Sequence, residues 1–292
     1  MLGQGVDGLR AFVDSATRHI SPIRSSNMPA VLVEKEGHIL TVTINRPEKK
    51  NCINSEAMCQ LYDAWVLLDE DPEIRVAILT GKGDTFCAGM DLSEIPKLRA
   101  GKPENDFMKR VMENTDITMA CWLKTYRPTK PVILAAEGFA RAGGTEILQG
   151  TDIRVAGESA MFGVTEVQRG LFPMAGSAVR LRRQIPYAIA AEMLLAGEDL
   201  PAQRAYELGL VNHVVPDGQA LAKAREIADR ISSNGPLAVA GILATLRATE
   251  TMPEEDAFKI EMEHGIKVMM SKDAAEGPRA FLEKRAPVFT GE

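Results

Sequence analysis

The stretch Lys130-Pro-Val-Ile-Leu-Ala-Ala-Glu-Gly-Phe-Ala-Arg-Ala-Gly-Gly-Thr-Glu146 carries three structural instructions in a short span. Pro131 to Ala136 is a continuous apolar run of strand length, the pattern of a strand covered on both faces. Gly138 to Gly144 is a turn of small residues, which lets backbone approach other backbone or a ligand closely. A helix is expected to begin near Gly143, so the free N–H groups and positive dipole end of its first turn would face a carbonyl oxygen held there. Glu146 lies one turn further on, within reach of the same ligand. The plainer reading of Glu146 is a first-turn carboxylate that simply interacts well with the helix dipole.

The flanking sequence repeats the strand-then-helix alternation. His38-Ile-Leu-Thr-Val-Thr-Ile-Asn45 alternates so that Leu40, Val42 and Ile44 share one face, which is strand periodicity, and Pro47 breaks it. Asn54 is placed to cap a helix whose Met58, Leu61, Tyr62, Trp65 and Leu68 form an apolar stripe, ended by Asp71-Pro72. Arg75 to Thr80 reads as another buried strand, followed by a loop punctuated by Gly81, Gly83 and Gly89. Residues 96–115 read as a mobile loop with part of a helix, and Asp152–Ala156 and Met161–Gly163 as short strands. Beyond residue 175 the pattern is mainly helical, with Pro201 in a first helical turn, Gly209 at a left-handed stop, and helices over roughly 218–232, 236–249, 253–270 and 273–285. An α/β core over 31–215, a helical region over 216–292 and a flexible polar extension over 1–30 follow. The extension has no secretory apolar core, Asp7 and Asp14 argue against a transit peptide, and Met28 is an alternative start.

Composition narrows the chemistry. The 292 residues are 45% hydrophobic and 25% charged with a net charge of −6, which argues against nucleic acid as a partner. No apolar run approaches the ~18 residues of a membrane span. Cys52, Cys59, Cys87 and Cys121 match neither zinc nor disulfide spacing, and a cytoplasmic protein with reduced thiols is expected. His19, His38, His213 and His264 form no metal-ligand spacing, and His213 reads as structural. Gly157-Glu-Ser159-Ala-Met161 lacks the second glycine of a nucleophile elbow.

Two further stretches could serve a ligand. In Phe86-Cys-Ala-Gly-Met-Asp-Leu92, small residues leave the Ala88 or Gly89 N–H able to face one, although an ordinary turn with Asp91 capping the next helix fits equally simply. In Phe162-Gly-Val-Thr-Glu166, the apolar neighbours Phe162 and Leu171-Phe172-Pro173 suggest a partly dry site, which would raise the pKa of Glu166 and let it donate a proton. Two carboxylates can hold and polarise one water, and backbone donors can hold an oxyanion, so the set suggests chemistry on a carbonyl compound.

Residues from about 31 to 289 resemble the crotonase superfamily, whose namesake member is enoyl-CoA hydratase. The resemblance rests on Ile44-Asn-Arg-Pro-Glu-Lys-Lys-Asn-Cys-Ile-Asn54, Val76–Gly81, Phe86–Leu92, Lys130–Ala140, Gly143-Gly-Thr-Glu146, Phe162–Glu166, Leu195–Glu198, Leu208–Val211 and Glu276–Arg285, in that order. It implies a spiral of ββα units with a C-terminal α-helical trimerisation region, assembled as a homotrimer or a dimer of trimers. It implies a coenzyme A thioester as substrate, with no separate cofactor. The Ala88 and Gly143 N–H groups would form the oxyanion hole, flanked by Cys87, Gly89, Asp91, Leu92 and Gly144 as substrate-binding positions. Phe281 and Lys284 match positions that contact the coenzyme A nucleotide, commonly of a neighbouring subunit. Glu146 would act as base toward water and Glu166 would deliver a proton to C2, giving hydration of a 2-enoyl thioester. An isomerase, a thioester hydrolase or a silent coenzyme A-binding protein on the same scaffold are the alternatives, and retention of both glutamates favours hydration. The chain departs from the pattern at Ala142, where glycine is expected, at Thr145, at Met174, which with Phe172 would shape the acyl pocket, and at Arg141, a charge beside the site.

Overall fold

The computed structural model describes residues 28–292. The extension expected over 1–30 lies outside the described residues as far as residue 27. In chain order the elements are β1 (Val31–Glu36), β2 (Ile39–Ile44), α1 (Ser55–Glu70), β3 (Val76–Gly81), α2 (Ile95–Ala100), α3 (Asp106–Glu113), α4 (Asp116–Ala120), β4 (Val132–Ala136), β5 (Phe139–Arg141) and α5 (Gly143–Leu148). They continue with β6 (Ile153–Gly157), β7 (Met161–Gly163), α6 (Ser177–Gln184), α7 (Tyr187–Ala196), β8 (Asp199–Pro201), α8 (Ala202–Glu207), β9 (His213–Val215), α9 (Ala220–Ser232), α10 (Pro236–Thr249), α11 (Glu254–Met269) and α12 (Lys272–Leu282).

The larger sheet runs β1-β2-β3-β4-β6-β9; the β1–β2 pair is antiparallel and every other pair is parallel. Parallel neighbours need crossovers, and these cover both sheet faces. The alternation read from sequence decides which side chain meets which layer. Leu40, Val42, Leu79 and Leu134 pack with Met58, Leu61 and Trp65 of α1, whereas Ile39, Val76, Ile78 and Ile133 pack with Ala224, Ile227 and Ala228 of α9. The Asn54 side chain caps α1 by accepting from the Ala57 N–H at 3.0 Å.

The smaller sheet, β5-β7-β8, positions the site. A strand of the large sheet passes into a short strand of the small one and then into a helix, as in β4–β5–α5, and β6 likewise leads into β7. This is the expected ββα spiral. β1 and the two three-residue strands β5 and β8 were not legible as strands, and Phe139–Arg141 falls inside what reads as a turn. The 96–115 segment also differs from expectation. It holds most of α2 and all of α3, and α3 is capped by Asn105 and pinned to α1 by Arg110, whose two Nη atoms reach Asp63 at 2.7 and 2.6 Å. Pro201 is the cap residue of α8 and lies just before its first turn.

Candidate active site

The Phe86–Leu92 loop is stitched to β5 by backbone bonds: Phe86 N–H to Glu137 O at 2.7 Å, Cys87 N–H to Phe139 O at 3.0 Å, and Arg141 N–H to Cys87 O at 2.9 Å. Gly144 faces this seam. A Cβ on it would lie 2.3 Å from the Cys87 carbonyl oxygen, so only glycine permits the approach. Ala142 turns the chain into α5 with φ 51 and ψ −124, a backbone region that costs a non-glycine residue about 1–3 kcal/mol. Its N–H bonds the Gly163 carbonyl at 2.8 Å, which ties the turn to β7.

The Gly143 and Gly144 N–H groups, at the free start of α5, have no protein acceptor among the described residues. Gly143 lies on the wall of a cavity of about 540 Å³, with Ala88, Glu146, Glu166 and Trp122 among its other lining residues. Trp122 was not singled out as a site residue in the sequence. Its ring lies against Gly143 so closely that a Cβ there would come within 2.7 Å of two ring carbons. Ala88 differs from expectation, because its N–H is engaged by the Lys50 carbonyl at 3.0 Å. Lys50 and Asn51 both have left-handed φ, which presents that carbonyl to the loop.

The two glutamates occupy contrasting surroundings. Glu146 is only 3% exposed, yet its Oε1 accepts the Ser177 N–H at 3.0 Å at the start of α6. Burial raises its pKa, and the backbone donors of Ser177, Ala175 and Gly176 counter part of that rise. Glu166 begins a short 3-10 turn, Glu166–Arg169, and is half-buried. Burial and then the negative charge of Glu146 push its pKa up to about 7. Its buried Oε2 has no protein partner. Neutral pH therefore finds Glu146 the better-stabilised anion and Glu166 the better proton carrier, with the pair titrating as a coupled unit.

Other expected site residues fall in three places. Asp91, Leu92, Phe172 and Met174 line the cavity, although Phe172 and Met174 are 66% and 60% exposed, so they form its rim. Asp91 meets the capping reading and also lines the cavity. It caps the Leu92–Glu94 turn through the Ser93 N–H and pairs with Arg46 at 3.0 Å. Cys87, Gly89 and Gly144 are not on the cavity wall and instead form the seam behind it. The Cys87 Sγ accepts from the Gly89 N–H at 3.3 Å. Phe281 and Lys284, at and just beyond the end of α12, do not line the cavity of a single chain, and Phe281 is 82% exposed.

Arg141 has a structural explanation. Arg141, Gly163 and Asp199 stand in one row across β5, β7 and β8. Gly163 has no side chain, so the Asp199 carboxylate reaches over it and takes Arg141 Nε at 3.1 Å as well as Nη2. The guanidinium also lies 4.1 Å from the Phe139 ring centre.

Residues 34–292 match the enoyl-CoA hydratase/isomerase family. The chain belongs to this family. It is 57% identical over 261 residues to "Enoyl-CoA hydratase EchA19" of Mycobacterium tuberculosis, spanning 89% of this chain and 96% of that protein. It is 36% identical over 262 residues to the carnitinyl-CoA dehydratase of Salmonella typhi, spanning 88% of this chain and 97% of that one. The crystal structure of an enoyl-CoA hydratase from Bacillus anthracis superposes with a TM-score of 0.81 at 34% identity, covering 90% of this chain and all (100%) of that one. These family members share the crotonase fold described above.

Proposed function

We propose that the protein is an enoyl-CoA hydratase, a hydro-lyase that adds water across the 2,3 double bond of a 2-enoyl-CoA thioester. The observation that carries this reading is the unequal carboxylate pair on one cavity wall: Glu146 capped by backbone N–H groups, Glu166 raised to about 7, and the unpaired Gly143 N–H beside them. Glu146 takes one proton from water as its oxygen bonds to C3. The electron pair of the double bond moves toward the thioester oxygen, where Gly143 N–H donates. Glu166 then delivers its proton to C2, and the pair resets as Glu146 gives up its acquired proton to solvent and Glu166 takes one back. Proton transfer of this kind contributes typically 10²–10⁴-fold, and one oxyanion donor about 2.7–4 kcal/mol. Ala88 is a lesser donor in this scheme, since Lys50 shares its N–H.

The reaction adds the elements of water with no external oxidant or reductant, so the proposal calls for no cofactor, and coenzyme A arrives as part of the substrate. Metabolism of fatty-acid or related acyl thioesters in the cytoplasm is the setting proposed, and buried free thiols at Cys59, Cys87 and Cys121 suit it. Among the described residues no helix is long and apolar enough to cross a membrane. A homotrimer or a dimer of trimers is proposed for the assembly. Exposed Leu246 on α10 and Phe258, Met262, Ile266 and Met269 on α11 support it. In such an assembly Phe281 and Lys284 would serve a neighbouring copy's site.

The test is direct. Purified protein incubated with crotonyl-CoA and with 2-decenoyl-CoA is expected to bleach the conjugated-enoyl absorbance of at least one, yielding the 3-hydroxy thioester. Binding of both without turnover, or migration of the double bond without hydration, would overturn the reading.

A further inference from the structure

We infer that Thr145 is a positioning residue whose hydroxyl sets the spacing between the Gly143 N–H donor and the Glu166 carboxyl. The inference rests on the hydratase reading above. Thr145 is completely buried on α5, between Gly144 and Glu146. Its Oγ1 donates to the Ala140 carbonyl and accepts the Gly163 N–H at 3.0 Å. Those two groups belong to neighbouring parallel strands, in which Arg141 stands opposite Gly163. In a regular parallel ladder the rung at this point runs from Gly163 N–H to the Ala140 carbonyl. The register of β5 and β7 includes that rung, and the Thr145 hydroxyl bonds both of its ends as well, so it ties α5 to the two strands at once. The next rung, Ala142 N–H to Gly163 O at 2.8 Å, is an ordinary one.

The consequence for the site follows from connectivity. β5 leads through Ala142 into Gly143, and β7 leads through Val164 and Thr165 into Glu166. Gly163 is therefore held at its N–H by Thr145 and at its carbonyl by Ala142, three residues ahead of the proposed acid. Removing the hydroxyl deletes the tie between α5 and these strands, so the first turn of α5, which carries Gly143, shifts relative to the strand that leads to Glu166, and displacements near 1 Å can cost about 10²-fold in rate.

Thr145→Val and Thr145→Ser separate this role from simple packing. The substrate is crotonyl-CoA or 2-decenoyl-CoA, whichever the wild type turns over, and binding is measured with the matching saturated butyryl-CoA or decanoyl-CoA. Thr145→Val keeps the shape, and per folded site its kcat is expected to fall about 10–100-fold while KM and saturated-thioester affinity stay within about threefold. Thr145→Ser keeps the hydroxyl and is expected to stay within about threefold of wild-type kcat. A Val variant with wild-type kcat, or a Ser variant as impaired as Val, overturns the role, and so does a Val defect confined to yield or melting temperature. A wild type inert on both enoyl thioesters overturns the hydratase reading itself, and the positioning role with it.

Discussion

Glu166→Gln is expected to lower kcat at least ~100-fold on the enoyl thioester that the wild type hydrates best, the low end of the general acid–base range. Glutamine keeps the size and the hydrogen-bonding reach of the side chain but has no proton to give C2. Substrate affinity should change little, because in the proposed arrangement the Gly143 N–H, and not this carboxyl, holds the thioester oxygen. Glu146→Gln should lose a comparable factor for the opposite reason, since an amide cannot take a proton from water. The two variants differ in a way that rate loss alone does not reveal. The Glu146 charge helps hold the Glu166 pKa up, so the residual rate of Glu146→Gln should lose its high-pH limb at lower pH than wild type does. Steady-state profiles across pH 5–9, about two units either side of neutrality, measure this. Wild-type kcat in either variant would sink the two-carboxylate mechanism.

The same shift fixes the sign of two pH dependences. As the proposed acid, Glu166 works in its protonated form, so hydration rate should fall as pH rises through about 7. Stability moves in the same direction. A carboxyl raised in the folded state binds its proton more tightly there than in the unfolded chain. Its stabilising contribution is complete below the ordinary glutamate value of about 4.3 and is lost as pH rises through about 7. Thermal melts should therefore show Glu166→Gln losing less stability than wild type between those limits. An equal loss in both proteins would show that the Glu166 pKa is not raised by the fold. Such a site is bought at the expense of stability, as expected when function needs a buried, poorly neutralised group.

The sequence makes most of the large sheet and its helices legible, β1 excepted, because long strands and helices carry enough residues to show a period. Leu40, Val42 and Ile44 alternate over a full strand, and Met58 to Leu68 repeat over three turns. The small sheet is built from three-residue strands, too short for any period; Met161–Gly163 still reads as a strand, whereas Phe139–Arg141 is hidden among the glycines that make it close to its neighbours. The site shows the same division. Glu146, Glu166 and Gly143 are readable because motif and chemistry coincide there. Trp122 is not, since an aromatic in a helical stretch reads as core, and its contact with Gly143 is made across the chain. Arg141 could not be explained from its own neighbours, because its partner Asp199 is 58 residues away and reaches it over the bare Cα of Gly163. Ala88 was legible as a turn residue, but the direction of its N–H depends on the left-handed backbone at Lys50, which no local pattern announces.

Gly143→Ala is expected to reduce kcat about 10²–10³-fold, the loss of one oxyanion donor, with a much smaller effect on KM. The added methyl would sit 2.7 Å from the Cη2 and Cζ3 atoms of Trp122, closer than side-chain carbons tolerate, and Trp122 is itself only 4% exposed. The ring has little room to retreat, so the turn moves and carries the Gly143 N–H off the line of the thioester oxygen. Ala88 is poorly placed to compensate, since its N–H already bonds Lys50. The clash is with a side chain, which makes it removable. Trp122→Leu alone should cost a modest factor through lost packing, while the Trp122→Leu, Gly143→Ala pair should recover about tenfold over Gly143→Ala, a coupling of ~1.4 kcal/mol for residues in direct contact. Gly144→Ala is the control. Its methyl would meet the Cys87 carbonyl oxygen at 2.3 Å, a backbone group within the seam, and Trp122→Leu should give it no relief. Full activity in Gly143→Ala would show that the oxyanion is held elsewhere. Equal rescue of both alanine variants would show that Trp122 acts on the cavity as a whole, without a specific hold on the donor.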